Sequence, residues 1–157
     1  MKKALSAILM IFFIQSNAQD MKEAYFASGC FWCVESIYES LVGVDKVESG
    51  YSGGYTKNPT YYTVLTGKTG HAEAIKVYYD SEKISFDELV KVFFGSHDPT
   101  TLNRQGPDRG THYRSIAFYS NENEKKIINE EIKRLLKNKT YPKSVPEVKK
   151  FDVVYIA

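Results

Sequence analysis

Hydrophobic and polar positions change period several times along the chain, and each change predicts an element. EAYFASG (23–29) reads as a short strand running into a glycine. Directly after it, CFWCVESIYESL (30–41) places Phe31, Val34, Ile37, Tyr38 and Leu41 at helical spacing, which predicts a helix whose first turn carries two cysteines. VDKVESGYSGGY (44–55) reads as a strand dissolving into a glycine loop, and Asn58-Pro59 as the cap and first residue of a short helix through Leu65. HAEAIKVYYD (71–80) alternates as a strand does. Ser85 with Glu88, and Asn121 with Glu124, are spaced as capping boxes that open the helices SFDELVKVFFGSH and ENEKKIINEEIKRLLKN. HYRSIAFYS (112–120) is a strand between them, and KKFDVVYIA (149–157) is a last strand. The strands are half polar rather than continuous apolar runs. The pattern therefore predicts an α+β fold, a two-layer sandwich of helices on a mostly antiparallel sheet with a ferredoxin-like core.

Two segments are too long and polar to be plain connectors. SGGYTKNPTYY (52–62) and HDPTTLNRQGPDRGTH (97–112) are rich in Gly, Pro, Asn and Asp, and long loops of this kind in a compact domain usually carry function. They are expected to be active-site loops.

The first twenty residues change the picture of the chain. Lys2 and Lys3 precede an apolar run, Ala4 to Ile14, and Ser16-Asn17-Ala18 offers the small residues that a signal peptidase reads. Residues 1–18 are expected to be a secretory signal cut after Ala18, leaving 19–157 as one domain in the periplasm or cell envelope. An uncleaved anchor is the competing reading, although the run is short for a bilayer. Cleavage removes two lysines and no acid, so the formal charge falls from +2 to zero. A chain without excess positive charge lacks the electrostatic term on which nucleic-acid binding leans. No nucleic-acid partner is expected, and a monomer is.

Both cysteines of the chain and its only tryptophan lie in GCFWCVE (29–35). A structural disulfide closing a two-residue loop would remove little unfolded-state entropy. A zinc site needs more than one CxxC, and His71, His97 and His112 lack the short paired spacing of zinc modules. Redox chemistry fits better. Cys30 follows Gly29 at a predicted helix start, where unpaired N–H groups and the helix dipole favour an anion. Cys33, one turn on, is the nearby partner. A thioredoxin-like thiol–disulfide oxidoreductase is the main rival, but its tryptophan usually precedes the first cysteine. It also needs a cis proline near the thiols, for which Val145-Pro146 is the only late candidate. Phe31 and Trp32 between the thiols form an apolar wall suited to a small apolar group.

GCFWCVE, GYSGGYTKNPTYYTV, TGHAEAIKVYYD and HDPTTLNRQGPDRGTHYRS resemble, in order and spacing, the motifs of the A-type peptide methionine sulfoxide reductases, from about Glu23 to the end. The resemblance implies that Cys30 is the nucleophile attacking the sulfoxide sulfur. Phe31 and Trp32 would form the pocket for the substrate's methyl group. Glu73 would be the acid that protonates the sulfoxide oxygen, a role needing a carboxyl kept protonated by burial. Tyr61 and Tyr113 would hydrogen-bond that oxygen, and Asp108 would be a further polar residue of the site. Methionine-S-sulfoxide would be reduced, free or in proteins, through a Cys30 sulfenic acid and then a disulfide. An external thiol reductant such as thioredoxin is implied, with no metal or organic cofactor. His71 reads as structural.

The chain departs from the family pattern at Cys33, where glycine is common, and it has no cysteine after Cys33. Cys33 is therefore expected to resolve the Cys30 sulfenic acid, provided the first helical turn lets sulfur reach sulfur. FDVVYIA ends on an apolar strand, and the natural chain is expected to continue beyond Ala157.

Overall fold

Two periodicities build the molecule, and the places where they fail position the site. The computed structural model describes residues 21–143 and 146–157. The expected signal segment and Val145 of the Val145-Pro146 pair lie outside the described residues. In chain order the elements are strand β1 (Met21–Ser28), helix α1 (Phe31–Glu39), strand β2 (Val44–Ser52), helix α2 (Tyr61–Leu65), strand β3 (Ala72–Asp80) and helix α3 (Phe86–Ser96). Then come the two-residue strands β4 (Arg104–Gln105) and β5 (Asp108–Arg109), a 3-10 turn (Thr111–Tyr113), strand β6 (Ser115–Tyr119), helix α4 (Glu122–Lys137), and strands β7 (Glu147–Lys150) and β8 (Val154–Ile156).

Six strands form one sheet in the order β7-β6-β1-β3-β2-β8, antiparallel at every pairing except β6 with β7. The α+β class and the mostly antiparallel sheet are as the pattern predicts. Helices cover one face. On α3, Phe86, Leu89, Val90, Phe93 and Phe94 repeat at i, i+3, i+4, i+7, i+8 and are all buried, as a core-facing stripe must be. Phe31, Val34 and Tyr38 of α1 and Ile128 and Leu135 of α4 join the same core around Phe26, Ile75 and Val77.

The second face is also covered, and here the structure corrects the last predicted strand. Residues 149–157 are not one strand. The chain pairs as β7 at one edge, crosses the sheet, and pairs again as β8 at the other. Phe151, on the crossing, stacks on Tyr25 with ring centroids 3.5 Å apart and meets Phe118 edge-on. With Val154 it covers Tyr25, Ala27, Ala72, Ala74, Ile116 and Phe118. Central strands β1 and β3 are thus buried on both faces, which accounts for the unbroken buried run Ala24–Ser28.

Three helix starts refine the reading. Ser85 and Glu88 form the full predicted capping box. Asn121 caps α4 by accepting from the Glu124 N–H at 3.0 Å, but the Glu124 carboxylate takes the Ser120 N–H instead of closing the box. Helix α2 starts at Tyr61, not at Pro59, because Thr60 and Thr63 cap each other reciprocally and Asn58 sits at φ +46°, outside the helical region. Likewise the strand predicted from His112 begins only at Ser115, since the Tyr113 N–H closes a turn onto the Gly110 carbonyl. Among the described residues, no helix is long and apolar enough to cross a membrane.

Candidate active site

The turn carrying Cys30 exists because of the glycine before it. Gly29 has φ +103°, a conformation that side-chain-bearing residues rarely adopt, and a Cβ there would sit 2.7 Å from Gln105 Cγ. Cys30 follows as the N-cap of α1, with φ −58° and ψ 115°, and its carbonyl accepts from both the Cys33 and Val34 N–H groups at 3.2 Å. No side chain of its own segment caps this helix. The missing acceptor comes from the sheet: Glu73, the second residue of the central strand β3, accepts a hydrogen bond from the Phe31 N–H at 3.0 Å. A carboxyl is thereby anchored to the residue after Cys30.

Glu73 is 2% exposed. Burial pushes its pKa above the ordinary carboxyl range and Asp108 adds to this, while the Phe31 N–H opposes it. With one oxygen held by that N–H, the other is free to carry a proton. Tyr113 lies within electrostatic reach of Glu73, Asp108, Tyr61 and Cys30; burial, reinforced by these groups, pushes its phenol up to about 12, so it remains a donor. Asp108, on β5, reaches the site because the loop 97–112 folds back as a hairpin in which β4 and β5 pair. Gln105 exchanges hydrogen bonds with the Asp98 backbone at 3.3 Å while its stem lies against Gly29.

The aromatic side of the site is built from three elements. Phe31 is buried and Trp32 is 64% exposed, their ring centroids 5.3 Å apart. Tyr61 stacks on Trp32 at 6.3 Å, and Tyr51 closes on Phe31 at 5.7 Å. Tyr51 was not singled out by the sequence reading. Register explains its place: it pairs directly with Glu73 across β2 and β3, so a single cross-strand pair carries a buried carboxyl and a buried aromatic. Burial first, then Glu73 and Tyr61, raise its phenol pKa. Tyr62, beside Tyr61, is 81% exposed.

Both cysteines are free thiols, Cys33 exposed and Cys30 half-buried. The neighbouring Cys30, through hydrogen bonding and charge, holds the Cys33 pKa above the ordinary thiol value, with smaller contributions from burial, Asp108 and Glu73. Among the described residues no group of three or more His, Cys, Asp or Glu is placed to hold a metal.

Three further residues hold the frame. His71 uses both ring nitrogens on backbone: Nδ1 accepts from the Gly54 N–H at 3.1 Å and Nε2 faces the Thr56 carbonyl at 2.8 Å, pinning the glycine loop to the start of β3. Arg114 donates to the Thr111 and Gly70 carbonyls and to Glu147, all at 2.9 Å, and so ties the turn bearing Tyr113 to the strand bearing Glu73. His97 meets the Phe93 carbonyl through Nδ1 at 2.7 Å and the Ser115 hydroxyl through Nε2 at 2.8 Å, fixing where the hairpin leaves α3. A carbonyl only accepts, so Nδ1 carries the proton and Nε2 takes the Ser115 hydroxyl. Arg114 and Gln105 lie inside the quoted motifs, but their role depends on contacts that no spacing rule encodes.

A family model described as peptide methionine sulfoxide reductase matches residues 22–157. A peptide methionine sulfoxide reductase MsrA from Trichodesmium erythraeum is 55% identical over 113 residues, 72% of this chain and 64% of that protein, so the match spans just under two thirds of that relative. The MsrA of Saccharolobus solfataricus is 50% identical over 137 residues, covering 87% of this chain and 77% of its own. Among solved structures, Mxr1 of Saccharomyces cerevisiae in reduced form superposes with a TM-score of 0.81 at 31% identity, over 87% of this chain and 80% of that one. Methionine sulfoxide reductase A of Corynebacterium diphtheriae does so at 0.78 and 31%, over 87% and 70%. Mxr1 in complex with Trx2 shares the fold at 22% identity, with a TM-score of 0.64 over 93% and 87%. Sequence motifs, sheet topology and these matches agree: the chain belongs to the A-type peptide methionine sulfoxide reductase family.

Proposed function

We propose that this chain reduces methionine-S-sulfoxide, free or in proteins, to methionine, and so repairs oxidised proteins. The observation that carries the reading is the hydrogen bond from the Phe31 N–H to buried Glu73, a carboxyl of raised pKa, which supports an acid acting beside Cys30 and the aromatic cup. The cup of Phe31 and Trp32, with Tyr51 and Tyr61, holds the methyl group. Tyr61 and Tyr113 donate hydrogen bonds to the sulfoxide oxygen, and Asp108 keeps that end of the site polar. The Cys30 thiolate attacks sulfur as Glu73 delivers a proton to the oxygen. Methionine leaves, and the oxygen stays as the Cys30 sulfenic acid. The Cys33 thiol then attacks the Cys30 sulfur, water leaves, and a Cys30–Cys33 disulfide forms. An external dithiol of the thioredoxin type reduces it. The crystallised complex of the related Mxr1 with Trx2 is in keeping with such a partner.

The basic, apolar and small-residue order of residues 1–18 supports export, so reducing equivalents would have to be delivered to the cell envelope. Steady-state turnover with a thioredoxin system tests the reading. The S epimer is expected to be reduced, the R epimer to be inert, and Cys30→Ser to abolish product. In Cys33→Ser, turnover with thioredoxin should fall while the first equivalent of methionine is still released. Reduction of the R epimer alone, or undiminished turnover by Cys30→Ser, would overturn it.

A further inference from the structure

The groove that opens off the aromatic cup is larger than a methyl sulfoxide needs. It encloses about 490 Å³ in the crevice between α1, β2 and the end of β8, starting at Phe31, Trp32 and Tyr61 and running on past Glu35, Glu48 and Ser49 to Ile156 and Ala157. A methionine side chain fills only the cup. The remainder is continuous with it, so it faces the polypeptide to which that side chain is attached.

The charge along this extension has one sign. Glu35 and Glu48 line it, and among the described residues no Lys, Arg or His does. Glu48 is already engaged, accepting from Lys46 at 2.5 Å and from the Tyr78 hydroxyl at 2.8 Å. Glu35 is different. It accepts a hydrogen bond from the Ser49 hydroxyl and has no cationic partner among the described residues. Its place is one helical turn beyond Phe31, about 6 Å along the axis at 1.5 Å per residue. An extended peptide advances about 3.3 Å per residue, so this rise corresponds to about two residues of a peptide running alongside α1 from the cup.

We propose that the α1–β2 groove seats the peptide beside the methionine sulfoxide and that Glu35 selects substrates carrying a lysine or arginine within two residues of it. The proposal rests on the sulfoxide-reductase reading and adds a substrate preference to it. Charge complementarity points to a cationic side chain. A long basic side chain can lay its methylenes along the groove beyond the cup while its head reaches the carboxylate. A partly exposed ion pair of this kind is worth about 1 kcal/mol or less, which corresponds to a preference of up to about fivefold.

The test uses hexapeptides with one internal methionine-S-sulfoxide and a single Lys, Gln or Glu placed in turn at the two positions before and the two after it. kcat/KM is measured for each at low and high salt, beside free methionine-S-sulfoxide. At one or two positions, Lys is expected to exceed Gln by about three- to fivefold and Glu to fall below Gln, with the spread shrinking at high salt. In Glu35→Gln the Lys-to-Gln ratio at those positions should collapse to about one. Equal rates for all peptides with normal reduction of free methionine-S-sulfoxide would overturn this proposal alone. A preference that survives in Glu35→Gln would overturn the assignment to Glu35. No reduction of any substrate would overturn the functional reading and this proposal with it.

Discussion

At the residue scale, Glu73 joins two features that sequence spacing does not: it caps α1 through the Phe31 N–H, and burial raises its carboxyl pKa, as the acid role proposed above requires. Glu73→Gln keeps the acceptor and removes the proton. We predict a fall in kcat of about 10²- to 10⁴-fold and loss of the high-pH limb of the pH–rate profile that Glu73 ionisation creates, measured from pH 5 to 10. Stability should move the other way. A carboxyl whose pKa is raised on folding destabilises the folded state as pH rises above its ordinary 4.5, so Glu73→Gln should be the more stable protein at neutral and alkaline pH in urea melts. Gly29→Ala is predicted to cost about 1–3 kcal/mol, because it forces a side chain into φ +103° against Gln105. That site residues could be picked out along the chain at all follows from where the family motifs fall: Cys30, Phe31, Trp32, Tyr61, Glu73, Asp108 and Tyr113 each sit inside one. The structure brings all of them together. Tyr51 could not be separated from an ordinary strand aromatic, since only its register with Glu73 puts it in the site.

At the element scale, helices and central strands were legible because the core imposes their periods directly, as the stripe on α3 shows. What was not legible depends on long-range contacts. Nothing local says that residues 149–157 leave the sheet and re-pair at the far edge; the stacking of Phe151 on Tyr25, 126 positions earlier in the chain, decides it. The hairpin β4–β5 was visible only as a polar loop, because its two-residue strands are too short to show alternation. Local caps are separable from function. Ser85→Ala removes the box that starts α3 and should lower stability by about 1 kcal/mol with kcat unchanged, a combination checked by thermal melts beside the turnover assay.

At the scale of the whole molecule, buried His97 ties α3 to β6 and makes stability depend on acid pH. Burial pushes the His97 pKa from 6.5 down to about 4, against smaller opposing effects of the Phe93 carbonyl and Asp98. The unfolded chain therefore takes up a proton below about pH 6.5 that the folded chain resists until about pH 4. The contribution of His97 is present above pH 6.5 and lost as pH falls through this window, by up to about 3 kcal/mol. Burial lowers the His112 pKa as well, so its effect has the same sign. Melts between pH 7.5 and 4 should show His97→Gln losing less stability than the wild type. The central claim concerns the two thiols and the acid acting together, and one experiment addresses it most directly: reduced protein lacking residues 1–18 is mixed with one equivalent of a methionine-S-sulfoxide peptide and no reductant, and methionine, intact mass and free thiols are recorded. One methionine per chain, with loss of two hydrogens and of both thiols, is the predicted result. Methionine formed with a gain of one oxygen would contradict the role of Cys33, and no methionine at all would contradict the account as a whole.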